Sequence, residues 1–465
     1  MKTVNLFDIN ETRQRTTRFP AAINPQLYTF KHKNNIFIYS PTAHCAARLT
    51  HREHTFLQQN KIIKDRLQAR TRFEKLVNSF LYQKEATLAD RGSVPEKRAT
   101  AATFLGGIEA VSLIFTTMCN LRCKYCAVFG GEPTKLSLAY NNPNVTKRQI
   151  MDPELATYVL GKIKPKLLHI YGWGEPSMAF DKLKSVLDKV DTHSTKIRID
   201  TNGVHFSKRE EIIGYFMAKK AFLQLSFDGL PALNDRHRVF PNGGSSTAEV
   251  LKTIAEIKRY GKFGKSAIIR VTIAEGEEDS ILDAVKYLDS IGVDFASFDP
   301  VEATGRAINS DVRPPNLDKM ATNLVTAQAY AQGKGFRLLS SLLPILEHRS
   351  MEEYGCGYVG GGALGVGVDG EIYACVMPVL GLKIGSVVRT DRGHRLELSM
   401  PSVMHILASR NVKKLKNCET CPVKCGGGCA ARVYDKHNTL EAEEATYVCD
   451  AKRLALKRHI ISVLA

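Results

Sequence analysis

The chain has 465 residues, 44% hydrophobic and 24% charged, which excludes a disordered polymer and supplies enough apolar side chains for two or three packed domains. No stretch approaches the roughly 18 uninterrupted apolar residues of a membrane helix, and the first twenty residues contain no apolar signal segment, so a cytoplasmic protein is expected with no membrane partner. The net charge of +18 is uneven: residues 1–100 hold 18 Lys or Arg against 8 Asp or Glu, a surplus of +10. An acidic partner or a solvated basic face accounts for this surplus. Nucleic acid is not expected, because the basic residues are scattered without interleaved aromatics.

In chain order, residues 1–100 form a basic N-terminal module with a strand at Asn35 to Tyr39 and an amphipathic helical run from His54 to Leu81. A linker follows at Arg91 to Ala102. From Val111 onward short apolar runs alternate with amphipathic segments. Strands are expected at Val111–Thr116, Leu167–Tyr171, Lys196–Asp200, Phe222–Phe227, Ala267–Ile273 and Phe295–Pro300. Helices are expected at Pro153–Ile163, where Asp152 caps and Pro153 takes the first turn, and at Asp181–Val190, Glu210–Lys219, Thr247–Tyr260 and Ser280–Ile291. Six β-α units in series predict an α/β fold with a parallel sheet, open or curled into a partial barrel, over residues 104–320. A helical bridge at 321–348 and a cysteine-rich region of turns and short strands at 349–465 complete the expected domains. Ligands in such sheets bind at the carboxyl ends of the strands.

Of eleven cysteines, ten stand in tight groups, which in a large intracellular chain reads as metal ligation rather than a disulfide framework; Cys45 alone reads as a structural thiol. Cys119, Cys123 and Cys126 lie within eight residues after the first core strand. Three thiolates leave one iron of a four-iron cluster open, whereas zinc with one further ligand is the competing use of the same spacing. Towards the C-terminus come Cys356, Cys375, Cys418, Cys421, Cys425, Cys429 and Cys449. A zinc ribbon on Cys418, Cys421, Cys425 and Cys429 competes with iron there, but leaves Cys356, Cys375 and Cys449 without a role.

The first triplet, with Tyr125 just before its third cysteine, resembles the signature of the radical SAM superfamily. That resemblance implies a partial (β/α)6 TIM-type barrel and reductive cleavage of S-adenosylmethionine, chelated to the open iron, into a 5′-deoxyadenosyl radical. Gly172-Trp173-Gly174-Glu175-Pro176 resembles the family's Gly-Gly-Glu-Pro loop, with Trp173 in place of the first glycine. Thr201, Ser226 and Asp228, at the ends of the third and fourth strands, match positions of polar contacts to the cofactor. Arg238 then pairs its carboxylate, and Val301 packs on adenine.

The seven later cysteines resemble a SPASM domain, with three residues instead of the usual five between Cys421 and Cys425. The resemblance implies two auxiliary four-iron clusters, one on Cys418, Cys421, Cys425 and Cys449, the other on Cys356, Cys375 and Cys429. An eighth cysteine of some relatives is Ser350 here, so the fourth position of the second cluster is open or is filled by Glu347, His348, Glu352 or Glu353.

Anaerobic sulfatase maturases share these features, but in them an Asp follows the cysteine corresponding to Cys375, where this chain has Val376. Residues 34–57 resemble, over a short span, the start of maturases of ribosomally made peptides. A leader held by strand pairing there would deliver its core segment to the barrel. The expectation is therefore a peptide-modifying radical enzyme that forms a thioether, ether or carbon-carbon cross-link in a precursor peptide, served by flavodoxin or ferredoxin. Sulfatase-maturase-like oxidation, cofactor biosynthesis and a non-enzymatic electron-transfer protein are the alternatives. No general base is assigned.

Overall fold

The computed structural model describes residues 28–40, 45–51, 54, 100–127, 149–206, 209–303, 305–343, 354, 356–377, 379–419, 421, 423, 425–443 and 446–464. The helix expected from His54 to Leu81 lies outside the described residues apart from His54, as do residues 91–99 of the expected linker. Glu347, His348, Ser350, Glu352 and Glu353 also lie outside them.

Three antiparallel strands, β1 (Tyr28–His32), β2 (Asn35–Ser40) and β3 (Cys45–Leu49), form a small meander near the N-terminus. The core is a set of parallel strands, β4 (Ala110–Ile114), β5 (Leu167–Tyr171), β6 (Lys196–Thr201), β7 (Phe222–Ser226), β8 (Ala267–Ile273) and β9 (Phe295–Pro300), hydrogen-bonded in sequence order. Helices α1 (Ala101–Gly106), α2 (Pro153–Ile163), α3 (Phe180–Leu187), α4 (Glu210–Ala218), α5 (Pro231–His237), α6 (Thr247–Arg259), α7 (Ile281–Ser290) and α8 (Leu317–Lys334) precede, connect and follow these strands. The expected partial (β/α)6 arrangement is thus present.

Local rules set the element ends. Asp152 accepts a hydrogen bond from the Glu154 N–H and caps α2, which closes on Lys164 in the left-handed region, φ 51°, immediately before Pro165. The linker expected up to Ala102 instead ends early, because Thr100 and Thr103 form a reciprocal capping box that starts α1. The bridge expected at 321–348 is α8, capped by Asn316 and Gly335, followed by β10 (Arg337–Leu339), which adds parallel to β9.

The cysteine-rich region does not stand apart from this sheet. β11 (Ala363–Val366) pairs parallel with β4, and antiparallel β12 (Glu371–Tyr373), β13 (Lys383–Thr390) and β14 (Gly393–Leu398) extend it, giving eleven strands in one sheet among the described residues. Helices α9 (Met400–Ser409), α10 (Ala430–His437) and α11 (Thr446–Leu464) follow. α11 packs on α8 and on β3, so Leu456 and Ile460 share a small core with Phe37, Tyr39 and Val423.

The two faces of the parallel sheet differ in kind. Val111, Leu113, Leu168, Ile170, Ile197, Ile199, Leu223, Leu225, Ile269 and Phe298 are buried against the helices. The alternating positions carry Ser112, His169, Arg198, Asp200, Gln224, Arg270, Thr272 and Asp299, aligned across the strands by register. Parallel strands covered by apolar layers on both sides read as continuous hydrophobic runs; this alternation marks a polar barrel interior.

Candidate active site

The first cysteine triplet sits on the loop leaving β4, and its backbone is clamped from several sides. The Arg122 N–H donates to the Val239 carbonyl at 2.7 Å, the Lys124 N–H to the His237 carbonyl at 2.9 Å, and the Arg306 side chain to the Cys123 carbonyl at 2.8 Å. Arg306 follows Gly305, where a Cβ would meet the Cys126 carbonyl oxygen at 2.4 Å. Burial pushes the Cys119 thiol up to about 12 and raises Cys123 as well. Buried thiols that must ionise to bind iron need a positive partner on the spot, which an iron cluster supplies.

The loop after β5 lies directly on the triplet. The Glu175 N–H donates to the Met118 carbonyl at 2.6 Å, and a Cβ on Gly174 would stand 2.0 Å from that same oxygen, so only glycine allows the approach. The Glu175 carboxylate is buried and accepts from the Ser177 hydroxyl at 2.6 Å, the Thr201 hydroxyl at 2.7 Å and the Asn202 N–H at 2.7 Å. Glu175 and Thr201 therefore pin the β5 and β6 loops to each other. Asn202 completes the joint by donating to Asn120 at 2.8 Å. Asn202 lies in the Asp200-Thr201-Asn202-Gly203 stretch that the sequence marks at the strand end, an asparagine turn signal, but its role in joining the loops is visible only in the structure.

Tyr125, Asp228 and Arg238 meet beside the triplet. The Tyr125 hydroxyl donates to Asp228 at 2.6 Å, and Arg238 Nη1 donates to the Tyr125 oxygen at 3.0 Å. Burial raises Asp228 to about 6 despite the opposing charge of Arg238. Arg238 Nε is buried with no protein partner, a donor available to a carboxylate. Val301 is buried with Ala274, Ala307 and Val312 against Tyr125. Ser226 ends β7, in register with Arg270 of β8. The residues singled out from the sequence are thus gathered at the carboxyl ends of neighbouring strands, and their donor set fits an amino-acid cofactor held on a cluster.

Trp173, the departure from the family's glycine, is 1% exposed and clusters with Ile114 and Val368, and Cys126, Tyr171 and Met377 pack against this group. Its indole N–H donates to the Val376 carbonyl at 3.1 Å, next to Cys375.

The later cysteines divide into two sets. Cys418, Cys421, Cys425 and Cys449 line a cavity of about 270 Å³ with Glu443 and Arg453. Cys429 instead lies within electrostatic reach of Cys356 and Cys375, whose thiols burial and one another's proximity push up. The zinc ribbon needed Cys429 beside Cys418, Cys421 and Cys425, and the chain carries it elsewhere. Among the described residues no group of three His, Cys, Asp or Glu side chains is placed to hold a single metal ion. The separation is produced by Gly426, Gly427 and Gly428, all with positive φ of 68 to 87°. Arg410, 1% exposed, holds that turn by donating to the Gly427, Leu440 and Ala442 carbonyls. Among the described residues the ten grouped cysteines are free of disulfides.

The polar interior beneath these loops contains further residues that motif reading passed over. His169 Nε2 lies 2.9 Å from Asp200 and Nδ1 lies 3.1 Å from Ser112. Arg198 donates to Asp200 at 3.1 Å, Gln224 donates to Asp200 at 2.8 Å, and Arg270 pairs with Asp299 at 3.3 Å. Burial would raise Asp200, but the His169 hydrogen bond and the Arg198 and Arg270 charges outweigh it and lower the carboxyl. Period-two alternation in the strands was the available signal.

Residues 113–298 match the Radical SAM superfamily, so this part of the chain is a radical SAM domain. Domains of this superfamily bind S-adenosylmethionine and a four-iron cluster. The chain is 24% identical over 381 residues to the radical SAM cyclopropyl synthase TigE of Paramaledivibacter caminithermalis, covering 76% of this chain and 74% of that protein. It is 27% identical over 192 residues to the GTP 3′,8-cyclase of Aquifex aeolicus, covering 40% of this chain and 54% of the relative. Among solved structures, anSMEcpe with bound AdoMet superposes with a TM-score of 0.56 at 19% identity, over 76% of this chain and 98% of that one. Streptococcus suis SuiB bound to the precursor peptide SuiA gives 0.51 at 15% identity, over 91% and 99%. These likenesses establish a shared fold. Among the described residues no helix is long and apolar enough to cross a membrane.

Proposed function

We propose that this protein is a radical S-adenosylmethionine maturase that cross-links residues of a ribosomally made precursor peptide. The observation that carries this reading is the joining of two sulfur-rich sites on one sheet: the Cys119 loop after β4 and the Cys356 and Cys375 segments around β11 and β12, bridged by Trp173 and Val376. The precursor peptide bound to SuiB and the Cp18Cys peptide bound to anSMEcpe favour a peptide substrate.

In this reading Cys119, Cys123 and Cys126 hold the catalytic cluster, Cys418, Cys421, Cys425 and Cys449 hold one auxiliary cluster, and Cys356, Cys375 and Cys429 hold another. When bound, the first cluster and S-adenosylmethionine supply reductive cleavage to a carbon radical. Arg238, backed by Tyr125 and Asp228, pairs the methionine carboxylate. Gly174 lets the loop backbone reach the amino group, while Glu175 and Thr201 lock that loop. Ser226 and Val301 flank the ribose and adenine. The N-terminal module receives the leader, and a small acidic electron carrier such as flavodoxin or ferredoxin is the reductant. A sulfatase-maturase activity is disfavoured because Val376 stands where that family uses an Asp.

The test is anaerobic reconstitution with iron and sulfide, then reduction in the presence of S-adenosylmethionine and a candidate precursor peptide. Expected are about twelve irons per chain, four per cluster, 5′-deoxyadenosine, and a peptide two hydrogens lighter. Zinc with only four irons, or 5′-deoxyadenosine with no change in peptide mass under any condition, overturns the reading.

A further inference from the structure

The barrel interior holds an imidazole wired to the edge of the cysteine-rich region. Asp200 is kept ionised by its basic neighbours and accepts the His169 Nε2 hydrogen, at 2.9 Å. Nδ1 therefore carries the lone pair, and the Ser112 hydroxyl, 3.1 Å away, donates to it. The Tyr358 hydroxyl lies 2.5 Å from the same Ser112 oxygen and donates in turn. Ser112 and His169 are buried, whereas Tyr358 is half-buried on the glycine-rich turn between Cys356 and Gly360. The hydrogen bonds thus run in one direction, Tyr358 to Ser112 to His169, from the cysteine-rich boundary into the barrel.

We propose that His169 is a redox-linked proton acceptor, taking up a proton through Tyr358 and Ser112 when the neighbouring site on Cys356, Cys375 and Cys429 takes up an electron, with Asp200 as its positioning residue. The inference rests on the reading of that site as an iron-sulfur cluster. Forming a bond between a substrate carbon and a second substrate atom removes two hydrogens. One leaves as a hydrogen atom to the 5′-deoxyadenosyl carbon. The second leaves as an electron, accepted by the auxiliary iron-sulfur cluster, and a proton, which needs a base. Val376, beside Cys375, cannot serve. His169 can: each hydroxyl of the wire passes one proton on and receives another, so only the imidazole changes charge.

The charged groups around His169 are of both signs: Asp200 and Arg198 on β6, then Arg270 on β8 paired with Asp299 on β9. Tyr171 on β5 meets the ring edge-on at 5.5 Å, and Tyr358 and Ser112 complete the shell. An electron placed beyond Tyr358 adds negative charge on the side of the Nδ1 lone pair and tips this balance towards protonation. A purely structural polar joint would have the same contacts but no such linkage.

The experiment is a redox titration of the cluster-loaded full chain, followed by electron paramagnetic resonance between pH 6 and 9, without peptide. The wild-type potential of the Cys356 site should fall with rising pH, approaching about 59 mV per unit, a tenfold change per unit for one electron. Ser112→Ala, which cuts the wire away from every cysteine, and His169→Gln should both give a pH-independent potential; Asp200→Asn should shift the pH window. Should His169→Gln fail to load clusters, Ser112→Ala decides alone. A flat wild-type profile, or the same slope in Ser112→Ala, overturns the inference. If Cys375→Ala loses no iron and no signal, the cluster reading beneath it has failed instead.

Discussion

The Trp173 indole N–H and the Val376 carbonyl, 3.1 Å apart, join the loop after β5 to the residue after Cys375. A residue beside the Cys119 triplet is therefore also tied to the Cys375 segment. The large apolar ring fills the space between Ile114 and Val368, which explains why glycine is absent there: the cysteine-rich strands have been drawn onto the same sheet.

Trp173→Phe should keep most of the packing and lose the hydrogen bond, costing on the order of 1 kcal/mol. Trp173→Gly, which restores the family's loop, should cost about 3–5 kcal/mol, the price of a large buried cavity. Thermal melting of the cluster-loaded protein reads both. If Trp173→Gly melts like the wild type, the ring does not brace the two sites.

Much of the fold was legible because periodicity and capping agree with tertiary structure. Leu167–Tyr171, Ala267–Ile273 and Phe295–Pro300 are strands at the expected residues, and Pro153–Ile163 is the expected helix. β11 was not legible: Ala363–Val366 includes a glycine in a glycine-rich stretch, and it becomes a strand only by pairing with β4. Arg410 was equally hidden, since nothing local shows that one arginine will satisfy three distant carbonyls. The grouping of Cys429 with Cys356 and Cys375 rests on resemblance, and the left-handed conformation of the three glycines between Cys425 and Cys429 is visible only in the structure.

Gly174→Ala should weaken binding of S-adenosylmethionine at least tenfold while leaving both auxiliary sites intact. The added Cβ would stand 2.0 Å from the Met118 carbonyl and force the two loops apart. Equilibrium binding and iron content measure the two effects, and unchanged affinity would show that the loop backbone does not form the cofactor's wall.

Cys429→Ala and Cys425→Ala, four residues apart, should remove different clusters. The first should lose the signal shared with Cys375→Ala, the second the signal shared with Cys418→Ala and Cys449→Ala, each with about four irons. Matching spectra for Cys429→Ala and Cys425→Ala would contradict the division of sites.

Deleting residues 1–99 removes β1–β3 and uncovers Leu456, Ile460 and Val423, which pack on Phe37 and Tyr39. The truncated chain should melt lower and lose iron first from the Cys418, Cys421, Cys425 and Cys449 site, whose Cys421 and Cys425 border this core. Full iron retention and an unchanged melting temperature would show that the meander plays no part in holding the site.

His459 on α11 is 9% exposed, and burial lowers its imidazole to about 4. A base whose folded value is depressed stays neutral in the native state while the unfolded chain takes up a proton near pH 6.5. Its contribution is therefore fully present above pH 6.5 and is lost as pH falls towards 4, by about 3 kcal/mol in total. The expected result is a native state that weakens on acidification, with a shallower decline in His459→Met, which fills the same space without a titrating group. Because α11 braces both α8 and β3, the loss should appear as earlier unfolding of the whole C-terminal side. Denaturant melts of both proteins at pH 7.5, 6 and 5 measure it, and parallel declines in the two would show that His459 is protonated as readily in the native state as in the unfolded chain.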